Sequence, residues 1–408
     1  MADDKRKVIQ ELLVSLRDDK TEHVVDLSHG QVTDEDIVRM AVFIPRNISM
    51  ERLLCGHCAL TSKAGQALAS ALATRHSHLL ELDISNNTIR AEGLLAISEA
   101  FEWNTSVEIL NLKRNELTND GDTVEAIVAL GRALEKNDGL TYLDISDNNL
   151  TDFLGKMEGI AALSAALPRN QCLQTLNMAS NVIGPAGAQI MSDCIISNNT
   201  LTSLDLSDNH FGTEGAKSIA SLLARGSLNA IQSVNLAHND LCGKYGQVDE
   251  TAVIALAGAL RGHTTLTELN LIDNQVNRAV GLAFVEALRF NTSLTSLGLG
   301  GGDPILGDDG IMDSIRQCTA SNLCIKNITD GNTDVDATDN KRRTALHHAV
   351  LAHSVAGVEK LIDDLEADIN VVDAKRYTPL RQAVELRYAP CIGALLSREA
   401  NIDIADRF

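Results

Sequence analysis

Residues able to ligate a metal or to act as nucleophile and base are plentiful here, eight cysteines and eleven histidines in 408 residues, so their spacing decides what they can do. One pair stands at metal spacing, Cys55-Gly-His-Cys58, the single CxxC of the chain. A structural zinc needs four ligands, and no second pair follows nearby at metal spacing. The histidines are scattered: His76 and His78 together, His238 alone, His347 and His348 together, none placed to serve as base to a nucleophile. The motifs GxSxG, HExxH and GxxxxGK[ST] do not occur. The glycine-rich stretch Gly300-Gly-Gly-Asp-Pro304, running on to Gly310, lacks the Lys-Ser/Thr that would hold a nucleotide phosphate. The expectation is a non-enzyme, with no catalytic residue, cofactor or metal, whose chemistry is that of a surface.

What must position such a surface is written in the apolar spacing. Leu201–Phe211, LTSLDLSDNHF, reads as LxxLxLxxNxF, and the frame returns with its asparagine at Asn87, Asn115, Asn148, Asn181, Asn239 and Asn274. The Leu-x-Leu pair alternates apolar and polar, the period of a strand with one buried face. The run Ala91–Phe101 that follows one copy puts Leu94, Leu95, Ile97 and Phe101 at helical spacing. Each unit is then strand, turn and helix, and a strand-to-strand connection that crosses over a helix gives parallel pairing. The asparagine has a job in the turn: backbone groups left unpaired there cost about 1 to 3 kcal/mol each, and a side-chain amide, both donor and acceptor, satisfies them. Laid on this frame, Cys55 takes an inward leucine position and Cys58 the asparagine position, which makes the CxxC structural.

The copies are 28 residues apart from Ile89 to Leu117 and from Ile183 to Phe211, and 29 from Leu60 to Ile89, with helices of the form GAxxIAxxL. This pattern resembles the ribonuclease-inhibitor class of leucine-rich repeats, found also in NOD-like receptors and Ran GTPase-activating proteins. The resemblance implies an α/β solenoid shaped as a horseshoe, parallel strands on the concave wall and helices on the convex one. Near Asn332 the vocabulary changes. Thr344-Ala-Leu-His-His-Ala349 resembles the ankyrin TPLHxA signature, and Thr378-Pro-Leu-Arg-Gln-Ala383 repeats it 34 residues on. That family implies a short all-α ankyrin section, in which His347 hydrogen-bonds within and between repeats while the second copy carries Arg381 in its place. The expected organisation is a capping helix over 1–20, about 10 to 11 leucine-rich repeats over 21–330, and two ankyrin repeats with an incomplete third over 331–408, stacked on the last coil.

Composition bounds the partner. Formal charge is −20, from 35 basic against 55 acidic residues, which repels nucleic acid and anionic membrane and favours a protein with a basic patch. Aromatic content of 3 % suits a solenoid that repacks Leu, Ile and Ala at each coil. There is no 18-residue apolar run and no secretory core after Met1, and the cysteines fall on apolar positions, so a cytoplasmic, reducing location and a monomer outside any complex are expected.

In chain order, Val8, Ile9, Leu12, Leu13 and Leu16 form one face of a first helix that caps the solenoid. Three coils are longer, through Thr118–Thr123, Asp152–Met157 and Cys242–Val248, and all three insertions follow the asparagine turn. They are expected on one loop rim, where Phe153, Met157 and Tyr245 are partner-binding candidates. Ile311–Cys318 reads as one more helix and Leu323-Cys-Ile325 as a last strand.

The outward positions of the strands give the concave-face candidates: Glu81, Asp83, Ile109, Arg114, Tyr142, Asp144, Asp147, Asp205, Asp208, His238, Glu268 and Ile272. Carboxylates outnumber cations there, and Tyr142, Ile109 and Ile272 are the apolar anchors. The function expected is a non-enzymatic scaffold or adaptor that binds protein through this face and the loop rim. The alternatives are a GTPase activator of the Ran-activator type and a structural subunit of a cytoskeletal, ciliary or ribosome-associated assembly.

Overall fold

The computed structural model describes residues 2–30, 32–73, 78–151, 155, 157–225, 230–243, 248–300 and 310–404, with side chains from residue 7 onward. Ten strands are described: β1 (Val24–Asp26), β2 (Arg52–Leu54), β3 (Glu81–Asp83), β4 (Ile109–Asn111), β5 (Tyr142–Asp144), β6 (Thr175–Asn177), β7 (Ser203–Asp205), β8 (Ser233–Asn235), β9 (Glu268–Leu271) and β10 (Ser296–Leu299). Helices alternate with them: α1 (Ala2–Arg17), α2 (Asp34–Ala41), α3 (Ser62–Leu72), α4 (Arg90–Phe101), α5 (Glu125–Lys136), α6 (Glu158–Ala166), α7 (Gly184–Ile195), α8 (Gly212–Arg225), α9 (Thr251–Ala259) and α10 (Arg278–Leu288). Five more helices end the chain: α11 (Ile311–Thr329), α12 (Ala345–Leu351), α13 (Val355–Asp363), α14 (Pro379–Glu385) and α15 (Ala389–Leu396). These elements fall into two compact units, Met1–Phe211 with Leu228–Asn239, and Gly212–Ser227 with Asp240–Phe408.

In the first unit β1 to β8 pair in chain order, all parallel. The central residue of each strand meets its equivalent next door, Leu82 on Leu110, Leu143 on Leu176, and all of these are buried. The strands are short because only the Leu-x-Leu core of each frame is extended; the left-handed residue before each asparagine, such as Asp147 (φ 58°) or Asp208 (φ 55°), turns the chain out of the sheet. Helices pack as a second layer, at places so closely that a β-carbon on Gly65 of α3 would lie 3.0 Å from the Gly93 Cα of α4.

The asparagines do what the frame requires. Asn148, 3 % exposed, donates through Nδ2 to the carbonyls of Leu112, Ile145 and Ser146 at 3.0 Å each, and its Oδ1 accepts from the Asn115 backbone N–H at 2.7 Å. Asn87, Asn115, Asn181, Asn209 and Asn239 repeat the pattern, each reaching back to the preceding coil. Cys58 stands in the same row: its Sγ donates to the Leu27 carbonyl at 3.0 Å, as an asparagine amide would, and Asn87 Oδ1 accepts from its N–H. Burial drives the Cys55 thiol well above its ordinary pKa, which suits an inward core position and opposes thiolate chemistry.

A second asparagine ladder, not anticipated from the sequence, runs along the other end of the strands. Asn137 donates to Phe101 O (2.9 Å) and Asn104 O (2.7 Å) and accepts from Leu140 N (2.8 Å); Asn104, Asn170 and Asn198 do the same job. The recurrent Asn-x-x-Leu/Val thus caps these helix-to-strand junctions.

In α1 the buried residues are Ile9 and Leu16, with Leu12 and Leu13 half-buried. Val8 is 57 % exposed, so it lies off the packed stripe; likewise Leu95 of α4 is 41 % exposed while Leu94, Ile97 and Phe101 are buried. An i, i+1 apolar pair cannot place both members on one narrow face.

In the second unit β9 and β10 pair in parallel. The expected strand at Leu323-Cys-Ile325 is not there, because α11 runs unbroken over 19 residues through it. Asn322 does continue the second ladder, donating to Leu294 O at 2.9 Å, but from a helical backbone. α11 packs on α10 before it and on α12 and α13 after it, so the core of the leucine-rich coils passes into the helix pairs without a break inside this unit. Thr344 and Thr378 cap α12 and α14.

Candidate functional site

The first unit brings its surface candidates into three rows across the strands. Strand register sets Glu81, Ile109 and Tyr142 side by side on β3, β4 and β5, at a spacing of about 4.8 Å per strand. Ile109 and Tyr142 are half-buried, an apolar step in a polar face. Glu81 is engaged by Arg52 from β2, Nε to Oε2 2.5 Å.

The second row alternates carboxylate and amide: Asp83, Asn111, Asp144, Asn177, Asp205, Asn235. Each aspartate uses one oxygen to close its own turn, accepting from the N–H of Ser85 (2.8 Å), Ser146 (2.8 Å) or Ser207 (2.9 Å). The other oxygen accepts from the next strand's asparagine, Nδ2 at 2.9 Å in all three pairs. These donors are neutral, and among the described residues none of the three carboxylates is paired with a Lys or Arg. Asp144 is buried at 6 % exposure, while Asp83 and Asp205 are half-exposed. Burial, and after it the charges of Asp144, Asp83 and Asp205, raise the pKa of the Tyr142 hydroxyl that sits among them. The row is a negative field with an aromatic ring in it. Sequence reasoning found the aspartates but not their pairing with the amides; the signal was the alternation of Leu-Asp-x-Ser with Leu/Val-Asn-x-Lys/Ala along successive copies.

The third row is the left-handed turn position. Arg114, Asp147, Asp208 and His238 all stand there, exposed, with φ between 54° and 58°. Arg114 pairs with Asp147, Nε to Oδ2 3.5 Å, and Asp208 Oδ2 accepts from Ser180 Oγ at 3.0 Å. Behind this row a cavity of about 500 Å³ opens, lined by His57, Arg114, Glu116, Asp120, Asp147 and Val182 among others. Asp120 comes from the Thr118–Thr123 insertion, which is folded: Thr118 is fully buried, its Oγ1 donating to Asn149 O (2.7 Å) and accepting from Gly121 N (3.0 Å). Asn119 Oδ1 accepts from Ala91 N at 3.0 Å and ties the loop to the preceding helix.

Of the other rim candidates, Met157 is half-buried, its sulfur 3.5 Å from the point where a β-carbon on Gly187 would sit, so it packs against the start of α7. Phe153 and Tyr245 lie outside the described residues. Glu268 and Ile272 belong to the second unit, where both are exposed; Ile272 is 37 % exposed.

The histidine of the first ankyrin copy is structural. His347 is fully buried; its Nδ1 accepts from Thr344 N (3.2 Å), which leaves Nε2–H to donate to Tyr377 O in the next repeat (2.9 Å). Arg381, in the equivalent place of the second copy, stacks over the Tyr377 ring at 4.4 Å.

Comparison with known families gives two matches. A model described as ankyrin repeats, in three copies, matches residues 314–406, and one described as leucine-rich repeat matches 75–98, 104–121, 137–152, 169–190 and 197–220. Similar solved structures include leiomodin-1 actin-binding site 2, at 18 % identity, covering 40 % of this chain and 89 % of that one with a TM-score of 0.33. The tropomodulin C-terminal domain of Caenorhabditis elegans matches at 20 % identity, covering 40 % and 92 %, again with a TM-score of 0.33. With both repeat types matched, and parallel strands alternating with helices ahead of the later helix pairs, the chain carries leucine-rich repeats followed by ankyrin repeats.

Proposed function

We propose that the chain is a non-enzymatic scaffold whose first unit grips a protein partner through the strand face centred on Tyr142, with a basic segment of that partner lying along the aspartate row. The observation that carries this is the pairing state of Asp83, Asp144 and Asp205: each is hydrogen-bonded, held in place and bound to neutral donors. Charge kept partly out of water without a counter-ion is costly, and a lysine or arginine arriving from outside relieves that cost. The half-buried ring of Tyr142 and the side chain of Ile109 beside it supply apolar contact, which usually carries most of an interface's energy. A preformed row loses little conformational freedom on docking. The net charge of −20 adds long-range attraction for such a partner and speeds the encounter.

The test is affinity capture with the whole chain and with an Ile109→Ala, Tyr142→Ala variant, whose substitutions lie on the surface and leave the turns intact. Partners retained by the unaltered protein and lost both by the variant and in high salt support the reading. The same set retained by both proteins removes the strand face from consideration.

A further inference from the structure

We infer that the segment held across the strand face is a polyproline-type helix with a lysine or arginine at every third residue; this rests on the reading of the face proposed above and adds the partner's spacing to it.

The aspartate row is longer than three members, and it is periodic. Asp26 of β1 stands in register with it, so carboxylates fall on β1, β3, β5 and β7, as Asp26, Asp83, Asp144 and Asp205, while Leu54, Asn111 and Asn177 between them are uncharged. All four share one local sequence, Asp-apolar-Ser, in which the aspartate accepts from the N–H of the serine two residues on; for Asp26 that donor is Ser28 N at 3.0 Å. Each carboxylate is thus held at the same point of its coil, and among the described residues none of the four is paired with a Lys or Arg. Arg52 of β2 is paired with Glu81, and Arg114 with Asp147. Lys113, exposed in the turn after β4, follows Asn111 on the same coil. A cation in a ligand is therefore attracted at β3 and β5 and repelled between them, which sharpens the period.

The period selects a backbone. Neighbouring strands lie about 4.8 Å apart, so charges on every second strand recur at about 9.6 Å. A polyproline II helix has three residues per turn and rises about 3.1 Å per residue, which returns every third side chain to one face at about 9.3 Å. Over the three intervals from Asp26 to Asp205 the two spacings slip by only about 1 Å. An extended strand returns a side chain to the same face at about 6.6 Å or 13 Å, and neither fits. An α-helix returns one after seven residues at about 10.5 Å, slips about 3 Å over the row and rotates about 20° off the face at each step. Beside the row, the half-buried ring of Tyr142 and the side chain of Ile109 give the prolines between the cations an apolar surface, the usual footing of such a helix. A polyproline helix is largely formed before it binds, so little order is lost on docking.

Fluorescence anisotropy with the whole chain and two labelled peptides tests this: Arg-Pro-Pro repeated four times, and an isomer of the same composition with its arginines all at one end. The periodic peptide is expected to bind at least about tenfold more tightly, since the isomer can reach only part of the row. The double substitution Asp83→Asn, Asn111→Asp moves one carboxylate to the next strand at constant net charge. Both residues already serve the same turn, Asn111 Oδ1 accepting from Lys113 N at 3.1 Å as Asp83 Oδ1 accepts from Ser85 N at 2.8 Å. The periodic peptide should then bind about fivefold more weakly, the worth of one ion pair, while the isomer loses nothing. Equal affinity of the unaltered protein for the two peptides, or a double variant that weakens both alike, overturns the period. Partners still captured through Ile109 and Tyr142 would show in that case that the strand-face reading survives without it. A periodic peptide that does not bind at all overturns the inference, and a capture set indifferent to Ile109→Ala, Tyr142→Ala takes the strand-face reading with it.

Discussion

In the leucine-rich coils of the first unit, register between neighbours is held by buried side-chain amides, each making several hydrogen bonds, at the ends of most strands, with Cys58 in their place after β2. The ankyrin pairs of the second unit do the same task with fewer bonds, a buried imidazole at one boundary, the Asp336 and Asn370 side chains accepting from the next repeat's N–H groups and the Arg398–Asp363 pair, and leave the rest to helix packing. His347 spans one repeat boundary through a single bond to Tyr377 O; Asn148 makes two bonds across its boundary, to Leu112 O and from Asn115 N–H, and two more within its own turn. The difference teaches where each section is brittle. An amide ladder is neutral at any working pH and fails only by substitution, whereas a junction built on imidazole fails by protonation as well.

The largest expected effect breaks the first side of that comparison. Asn148→Ala strands three carbonyls and the Asn115 N–H in a buried turn, and a loss of about 3 kcal/mol is expected, allowing water to reach some of them. The single tryptophan, Trp103, belongs to the first unit, so its fluorescence during urea unfolding reports that unit by itself. His347→Ala, which removes fewer bonds, is expected to cost about 2 kcal/mol and to leave the Trp103 midpoint where it was. Equal shifts of that midpoint by both substitutions contradict the division into two differently built sections.

Acid sharpens the comparison. Burial lowers the pKa of His263, His347, His348 and His353, with Arg343 contributing at His348 and Arg289 at His353, and all four lie in the second unit. The folded unit then binds fewer protons than the unfolded chain. Stability is complete above the ordinary histidine pKa of about 6.5 and declines as pH falls below it, by at most about 1.4 kcal/mol per pH unit for each histidine. The first unit's depressed groups in contact with hydrogen-bond donors or cations are carboxylates, among them Asp26, bonded by the Ser28 N–H, and Glu35, bonded by Lys63. Their contribution is present above about pH 4 and is lost only below it. Between pH 7 and 5, hydrogen exchange should therefore quicken in α12 to α15 while the Trp103 transition holds still. Uniform loosening of both units would break the contrast.

How much of this could be read beforehand follows the same divide. The asparagine at a fixed offset from Leu-x-Leu was legible at seven places because one physical task fixes both its type and its position. Cys58 was placed correctly by the same logic, and the Sγ bond to Leu27 O shows why a thiol serves. The Asp/Asn alternation on the face stood in the sequence but was unread, since a periodicity of two repeats is invisible when each copy is compared only with the consensus. α11 was misjudged for a physical reason. Asn322-Leu323 imitates the Asn-x-x-Leu entry to a strand and even makes the ladder bond to Leu294 O, yet nothing after Thr319 breaks the helix, and helix packing on α12 and α13 wins. Val8 and Leu95 were lost to the ambiguity of adjacent apolar residues, which sequence spacing cannot assign to one face.

The smallest effect bears on how the ankyrin pairs stay in register without an amide ladder. Arg398, following α15, reaches back to α13, with Nε to Asp363 Oδ1 at 2.7 Å, Nη2 to Asp363 Oδ2 at 2.5 Å and Glu359 Oε1 at 3.5 Å. The two-pronged contact with Asp363 fixes angle as well as distance, and the guanidinium is 22 % exposed, less than any arginine paired on the strand face. Arg52 and Glu81, by contrast, join strands that backbone pairing already aligns. Arg398→Gln is expected to cost about 1 kcal/mol and Arg52→Gln about 0.3 kcal/mol, exposed pairs being worth little. Both costs should shrink in 0.5 M salt, Arg398's proportionately less because it is less open to screening. If Arg52 proves the dearer of the two, side-chain charge and not the amide ladder is aligning the strands, and the contrast between the two sections fails at its root.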